Sequence, residues 1–193
     1  MNMRQIILAS TSPRRKELLE EMGLDFTVVP SDFEEYLDDS RPVEDIAMEL
    51  GAGKARAVAE KYPEAIVIGS DTIVTIGEVQ LGKAADLSDA RRMWRLITTA
   101  PNKVTSSLAV ICKAENYEKI TCDSAWVYLK PYDEAAVEAY LATGDYTDKA
   151  GAYAIQHIGD LLDHIDGSEN TILGLPTEKL ADILHKDFGV GAR

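Results

Sequence analysis

The sequence is poor in several informative residue types. Its 193 residues include two cysteines, two tryptophans and three phenylalanines. Cys112 and Cys122 lack the spacing of a metal site, and one pair is no disulfide framework, so we expect reduced thiols and a cytoplasmic protein. Basic residues are also scarce, with 20 Lys and Arg against 33 Asp and Glu and a formal charge of −13. Such an acidic surface repels a phosphate backbone, so we expect no nucleic-acid partner.

Long apolar runs are also lacking. No segment approaches the length of a membrane span, and the opening MNMRQIILAS has too short an apolar run for a signal peptide, so we expect no membrane partner. A P-loop, an H-E-x-x-H motif and a glycine-rich dinucleotide fingerprint are missing too. The composition that remains, 46% hydrophobic and 27% charged, is typical of a folded globular chain with a sizeable core.

Short apolar runs alternate with helical patterns along the chain, which predicts an α/β fold with a mixed sheet. The run QIILA predicts a first buried strand, and Ser12 is the expected N-cap of the helix that follows it. A longer helix is predicted over about residues 43–61, although Gly51 and Gly53 each cost roughly 1 kcal/mol in a helix interior.

The second half of the chain is richer in strand patterns. The segments VTSSLAVICK and EKITCDSAWVYL predict an antiparallel hairpin that turns around residues 114–117. Further along, the glycine-bounded segment AGAYAIQ predicts another strand, which a short polar segment follows. A final helix is predicted to start after Leu175-Pro176.

The first helix opens with an unusual charge pattern. Arg14, Arg15 and Lys16 stand where the helix dipole disfavours each cation by a few tenths to about 1 kcal/mol. A strand, a short Ser/Thr loop and a helix N-terminus also form a geometry that binds phosphate, with which guanidinium groups pair well. The cluster is therefore either an anion site or a solvated basic turn. Lys16 is predicted to pair with Glu20.

Two charged residues stand among apolar neighbours. Asp71 interrupts the run AIVIGSDTIVTIG, and a carboxylate buried there would need a hydrogen bond, an ion pair or a metal. It is therefore either a general base or metal ligand, or an exposed turn residue between strands. Lys54 lies on the apolar stripe of the long predicted helix. It either extends to water or points at a phosphate.

Seven short segments occur in a characteristic order between Leu8 and Pro176. They are LASTSPRRKELL, Glu34-Glu35, GKARAVA around Lys54, GSDTIV around Asp71, Gly82-Lys83, DKAGAYAIQ from Asp148, and GS with GLP between Gly167 and Pro176. In this combination and order the chain resembles the Maf family of nucleoside triphosphate pyrophosphatases. The resemblance covers most of the sequence.

That resemblance implies a single domain over residues 1–193 with two α/β lobes. An elongated mixed sheet with flanking helices, similar to that of inosine triphosphatases, would surround a central active-site cleft. It also implies hydrolysis of a nucleoside triphosphate between its α- and β-phosphates, giving the monophosphate and pyrophosphate. The implied cofactor is a divalent cation, Mg²⁺, Mn²⁺ or Co²⁺. The sequence does not decide between a monomer and a homodimer.

The resemblance also implies roles for charged residues. Asp71 would be the general base that activates water, and Glu35 would assist it at the metal. Lys54 and Lys83 would bind or orient the polyphosphate. The register from the preceding strand favours Glu35 over Glu34 for the second carboxylate.

Substrate recognition is implied in the same way. Ser10 and Arg15 would bind the polyphosphate. One branch of the family, which acts on dTTP and UTP, has Arg, Thr and Gln at three base-reading positions, and Arg14, Thr72 and Gln156 match them. The chain therefore resembles the pyrimidine branch.

The sequence departs from the family pattern at three places, which leaves two alternative functions open. Ala84 replaces the usual proline, residues 98–102 replace a Ser-Gly-x-x-His stretch that helps form the cleft wall, and Ser106 replaces a threonine. One alternative is a nucleotide-binding regulator of cell division with little or no hydrolysis. Another is a purine-directed enzyme acting on ITP.

Overall fold

A computed structural model describes residues 4–34 and 41–191, and these form the predicted mixed α/β fold. The strands are β1 (Ile6–Leu8), β2 (Phe26–Val28), β3 (Ile66–Gly69), β4 (Thr72–Ile76), β5 (Val79–Leu81), β6 (Asn102–Cys112), β7 (Tyr117–Leu129) and β8 (Leu162–Asp166). They form one sheet in the order β2-β1-β3-β6-β4-β5, with β7 beside β6 and β8 beside β7. Strand β1 pairs parallel with β2 and β3, whereas β3 pairs antiparallel with β6. The sheet is therefore mixed.

Helices connect most of these strands. They are α1 (Pro13–Glu21), α2 (Val43–Ala59), α3 (Leu87–Ile97), α4 (Glu134–Leu141), α5 (Glu169–Leu173) and α6 (Thr177–Phe188). Helix α1 begins at the predicted Ser12-Pro13 pair, and α2 ends at Ala59 rather than at Lys61. Among the described residues, no helix has both the length and the apolar composition that crossing a membrane requires.

The chain divides into two compact units. The first comprises Met1–Thr72, Thr105–Asp123 and Leu173–Arg193, and the second comprises Ile73–Val104 and Ser124–Ile172. Strands β1 to β3 and helices α1, α2 and α6 belong to the first unit. Strands β5 and β8 and helices α3 and α4 belong to the second.

In the first unit, α2 packs closely on the sheet because small residues form the contact. Ala52, Ala55 and Val58 share a buried cluster with strand residues such as Val67. A Cβ atom added to Gly69 of β3 would lie 2.5 Å from the Gly51 carbonyl oxygen and 2.8 Å from the Ala55 Cβ. A Cβ atom added to Gly51 itself would lie 2.3 Å from the Ser107 Oγ of β6, so the close approach of helix and sheet explains the glycine in the helix interior.

In the second unit, the prediction of a strand at AGAYAIQ is wrong. The segment makes an isolated bridge from Ala150 to Lys83 and then a short 3₁₀ helix, Ile155–His157. Gly151 and Ala152 have φ values of 74° and 60°, which a strand does not allow. The physical reason is long-range hydrogen bonding to two buried aromatic side chains.

Trp94 of α3 and Tyr140 of α4 supply those hydrogen bonds. The Trp94 Nε1–H donates to the Ala152 carbonyl at 3.0 Å, and the Ala154 N–H donates to the Tyr140 hydroxyl at 2.9 Å. The two rings pack with centroids 5.2 Å apart. Backbone groups that a strand would pair are therefore held by side chains.

The short polar segment predicted after AGAYAIQ includes strand β8, which pairs antiparallel with β7.

Candidate active site

Asp71 lies in the break between β3 and β4, and its carboxylate pairs with a lysine of α2. The Lys54 Nζ is 2.5 Å from the Asp71 Oδ1, and the two side chains are only 14% and 15% exposed. Lys54 therefore points at Asp71 rather than along the helix to water. Among the described residues, the hydrogen-bond partner of this carboxylate is the Lys54 Nζ, which donates to Oδ1. The other oxygen, Oδ2, can accept a proton.

The Asp71 backbone is held by a single residue of β6. The Asp71 N–H donates to the Ser107 Oγ at 2.9 Å, and the Ser107 N–H donates to the Asp71 carbonyl at 2.9 Å. Ser107 is fully buried. The position of the Asp71 Cα is thus fixed on both sides of the residue.

Ser10 follows β1 in the loop that leads into α1. Its Oγ accepts hydrogen bonds from the Ser12 N–H at 3.2 Å and from the Arg15 guanidinium at 3.1 Å. Both bonds occupy oxygen lone pairs, and among the described residues these are its side-chain partners. The Ser10 hydroxyl proton is therefore directed elsewhere, as a donor suited to an anion.

Arg15 is buried, and its guanidinium connects three separate segments. Besides Ser10, it donates from Nε to the Gly174 carbonyl at 2.8 Å and from an η nitrogen to the Thr72 Oγ1 at 3.0 Å. The Ser70 hydroxyl donates to the same Gly174 carbonyl at 2.8 Å. The three guanidinium nitrogens of Arg15 thus hold Ser10, Thr72 and Gly174 together, and Ser70 joins them through the Gly174 carbonyl.

Gly174 is required at the centre of this network. Its φ is 113°, in a region that other residues rarely adopt. A Cβ atom there would lie 3.1 Å from the Thr72 Oγ1 and 3.3 Å from the Arg15 Nε. A side chain at this position would therefore strain the backbone and crowd both partners.

The other cations of α1 are arranged differently. Arg14 is half-buried, and Lys16 is exposed. The predicted pair between Lys16 and Glu20 is confirmed, with an N–O distance of 3.4 Å. Ser12 makes no side-chain capping bond at the helix start. The cation cluster is therefore not a uniform basic turn, because its second member is internal and its third is solvated.

Lys83 and Gln156 belong to the second unit, and both are exposed. Lys83 Nζ lies 3.5 Å from the Asp148 Oδ1, in a pair whose side chains are 66% and 85% exposed. The Gly151 N–H donates to the Gly82 carbonyl at 3.1 Å, which ties the loop before Gln156 to the residue before Lys83. Within this unit, a backbone bond thus joins the loop that precedes Gln156 to the end of the strand beside Lys83.

The segment that departs from the family pattern, residues 98–102, ends α3 and enters β6. The Thr98 and Thr99 hydroxyls donate to carbonyls of the last helical turn. Asn102 is fully buried and donates to the Ile97 carbonyl at 3.1 Å. These residues therefore stabilise the junction between a helix and a strand.

Sequence reasoning assigned no role to three residues of the first unit that hold the candidate site. Ser107 and Ser106 carried one usable signal, since they are consecutive hydroxyls beside a buried apolar run. Gly174 belongs to the GLP segment, but nothing in the sequence indicated its bond to Arg15, because that bond joins residues 159 positions apart. Glu35, the predicted second carboxylate, lies outside the described residues.

One described carboxylate has the chemistry of a ligand for a hard divalent cation. Within the described ranges, no group of three or more His, Cys, Asp or Glu side chains is placed to hold a metal. Mg²⁺ is commonly held by one or two carboxylates together with substrate phosphates and waters. Asp71 fits that limited requirement, because Lys54 occupies only its Oδ1.

The first unit is thus an α/β unit that places a paired carboxylate, a donor hydroxyl and a helix N-terminus at the ends of central strands. Such an arrangement is typical of enzymes that act on phosphate compounds. The model of the Maf-like protein family matches residues 5–187, and the chain belongs to that family.

Relatives named dTTP/UTP pyrophosphatase match nearly the whole chain. The dTTP/UTP pyrophosphatase of Thermoanaerobacter sp. (strain X514) is 39% identical over 189 residues, which cover 96% of this chain and 98% of that protein. The dTTP/UTP pyrophosphatase of Dictyoglomus thermophilum is 40% identical over 185 residues, covering 95% and 96%. Among solved structures, the Staphylococcus aureus Ham1 protein aligns with a TM-score of 0.43 and 12% identity over 82% of this chain and 91% of that one.

Proposed function

We propose that this protein hydrolyses dTTP and UTP to the nucleoside monophosphate and pyrophosphate. Its relatives of that name match it at 39% to 40% identity over nearly their full length. The structural observation that carries the proposal is Asp71, whose backbone is fixed by Ser107 and whose carboxylate is paired at one oxygen with Lys54. A positioned carboxylate beside a cation is what attack of water on a phosphoanhydride needs.

In the proposed reaction Asp71 acts as the general base. Its Oδ2 accepts a proton from water while the water oxygen attacks the α-phosphorus, and the bond to the β-phosphate breaks. Lys54 keeps the carboxylate oriented through Oδ1 and lends positive charge to the phosphates. The ion pair therefore places the general base, Asp71, next to the positive charge of Lys54, which stabilises the phosphates.

Phosphate binding is proposed for Ser10, Arg15 and Lys83, as the family resemblance implies. Ser10 donates its hydroxyl proton to a phosphate oxygen, because its lone pairs are used by Ser12 and Arg15. The positive end of α1 and the Arg15 charge favour an anion at the same place. Lys83, which is exposed, neutralises a further phosphate.

Base selection is proposed for Arg14, Thr72 and Gln156, as the family resemblance implies. Thr72 Oγ1 is held by Arg15 and lies 2.8 Å from the Ser106 Oγ. A hydroxyl held in this way has one hydrogen-bonding position left among the described residues, which suits a directional contact with a base edge. Selection of dTTP and UTP would then depend on a rigid hydroxyl.

A divalent cation, Mg²⁺, Mn²⁺ or Co²⁺, is the proposed cofactor, with Asp71 and Glu35 as its protein ligands. When bound, it would neutralise charge on the polyphosphate and polarise the bond that breaks. The chain's own contribution is to pair Asp71 with Lys54 and to place it against the substrate. We place the reaction in the cytoplasm, since Cys112 and Cys122 form no disulfide in the described part of the chain, which suits a reducing compartment.

A nucleotide panel tests this function. Purified protein is supplied with dTTP, UTP, CTP, ITP and GTP in turn, each with Mg²⁺, Mn²⁺ or Co²⁺, and pyrophosphate is measured. We expect release from dTTP and UTP at a kcat/KM at least about tenfold above that for the other nucleotides. Preference for ITP would indicate the purine-directed alternative, and tight nucleotide binding without pyrophosphate release would indicate the regulatory one.

Lys83 provides a separate expectation for substrate binding. Lys83→Met should raise KM for UTP about tenfold, because one charge-assisted bond to phosphate is lost. Its pair with Asp148 is exposed, so the free energy of unfolding should change by less than about 0.5 kcal/mol. Steady-state kinetics and urea denaturation measure the two effects.

The matched control is Lys186→Met, which removes another exposed lysine that pairs with an aspartate. It should leave KM unchanged. An unchanged KM in Lys83→Met as well would remove Lys83 from the proposed phosphate contacts.

A further inference from the structure

Three consecutive hydroxyl residues of β6, Thr105, Ser106 and Ser107, are fully buried. The strand residues that follow them are apolar. Burying a hydroxyl is unfavourable unless it is hydrogen-bonded, so each must serve a contact. Because successive side chains of a strand point to opposite faces of the sheet, Ser106 and Ser107 make different contacts. Their partners are two neighbouring residues of the candidate site.

Ser107 contacts the backbone of the proposed base. Its Oγ accepts from the Asp71 N–H at 2.9 Å and lies 3.4 Å from the Asp71 carbonyl oxygen, which also accepts from the Ser107 N–H. One hydroxyl and one amide thus hold both polar backbone groups of Asp71. All of these hydrogen bonds use the Asp71 backbone, and its carboxylate is bonded instead to Lys54.

The Ser107 hydroxyl has little freedom to move. A Cβ atom on Gly51 of α2 would lie 2.3 Å from the Ser107 Oγ and 3.3 Å from the Asp71 nitrogen. Helix α2, which also supplies Lys54, therefore packs against the hydroxyl that holds Asp71. The two members of the ion pair share one rigid support.

Ser106 contacts the neighbouring residue, Thr72, through its side chain. The two hydroxyl oxygens are 2.8 Å apart, and the Thr72 Oγ1 also accepts from Arg15. Ser106 thereby restricts the direction in which the Thr72 hydroxyl can make its remaining bond. This contact concerns the side chain, whereas the Ser107 contact concerns the backbone.

We propose that Ser107 and Ser106 are positioning residues with separate tasks: Ser107 places the base Asp71 for hydrolysis, and Ser106 orients Thr72 for selection of the nucleotide base. The inference deepens the proposed pyrophosphatase function and rests on it. It assigns turnover and selectivity to two adjacent residues of one strand, neither of which touches the substrate.

The test compares Ser107→Ala with Ser106→Ala on UTP and CTP. Ser107→Ala should lower kcat for UTP about tenfold while KM and the UTP-to-CTP preference stay within about twofold. Ser106→Ala should lower the UTP-to-CTP preference about tenfold while kcat for UTP stays within about threefold. A general loss of stability would not separate kcat from selectivity in this way.

Gly51→Ala provides a second perturbation of the same support. The added Cβ displaces the Ser107 hydroxyl, so this variant should also lower kcat about tenfold without changing base preference. Removing the hydroxyl makes room for the Cβ. The double variant Gly51→Ala/Ser107→Ala should therefore lose less activity than the product of the two single effects. A fully multiplicative loss would contradict the shared support.

Thr75→Val is the matched control, because it removes a different buried hydroxyl, from β4. It should change neither kcat nor base preference. Suppose that the wild-type protein is active. If both serine variants then behave like this control, or if both show the same kinetic profile as each other, the division of tasks is wrong, whereas the proposed function stands. If the wild-type protein releases no pyrophosphate, the proposed function fails and the division of tasks falls with it.

Discussion

Asp71→Asn is expected to lower kcat for UTP about a thousandfold, the range that removal of a general base produces. Asparagine keeps the size of the side chain and the backbone bonds to Ser107, but its amide does not take a proton from water. It also removes the charge that pairs with Lys54 at 2.5 Å. The proton acceptor is thereby lost while the phosphate-binding cations remain in the protein.

Nucleotide binding separates this interpretation from a folding defect. Affinity for a non-hydrolysable UTP analogue, measured by calorimetry without a divalent cation, should be equal to or tighter than that of the wild type, since Asp71 no longer competes for Lys54. The matched control is Asp123→Asn, which neutralises another partly buried aspartate that pairs with a lysine, Lys179 at 2.8 Å. Asp71→Asn with more than about a tenth of wild-type kcat would exclude Asp71 as the base.

Arg15→Met is expected to destabilise the protein by about 3–5 kcal/mol even without nucleotide, because it removes a buried charged group that holds three segments. Methionine fills much of the volume but donates no hydrogen bond. The Gly174 carbonyl keeps its bond from Ser70, whereas Ser10 and Thr72 lose the donor that fixes them. Urea denaturation of the nucleotide-free protein measures this effect.

Two further variants make the Arg15 result interpretable. Arg15→Lys keeps the charge, but its single nitrogen does not reproduce a fork that spans three acceptors, so most of the destabilisation should remain. Arg92→Met removes an exposed arginine bonded to Asp89 and should cost less than about 1 kcal/mol. If Arg15→Met leaves the free energy of unfolding unchanged and only raises KM, Arg15 acts as a phosphate ligand and not as an internal connector.

The fold class and the main helices were predictable because local patterns determine them. The serine-proline start of α1, the apolar run of β1 and the i,i+4 pair between Lys16 and Glu20 depend on neighbours within a few residues. Lys54 was recognisable for a similar reason, since it interrupts an apolar helical stripe. The local pattern left two interpretations of that lysine, and the bond to Asp71 excludes the one in which it extends to water.

The rest of the site depends on contacts between distant segments. Nothing near Gly174 indicates that its carbonyl accepts from Arg15, and nothing near Asp71 indicates that Ser107 holds its backbone. The same reason explains the wrong strand at AGAYAIQ. Its composition favours a strand, but Trp94 and Tyr140 engage its backbone from two other helices.

The measurement that tests the central claim most directly is the product ratio from UTP. Purified protein is incubated with UTP and a divalent cation, and uridine monophosphate, uridine diphosphate, pyrophosphate and phosphate are quantified over time. Hydrolysis between the α- and β-phosphates predicts uridine monophosphate and pyrophosphate in equal amounts from the first time point, with loss of both in Asp71→Asn. Uridine diphosphate with phosphate, or no product from either UTP or dTTP, would contradict the proposed function.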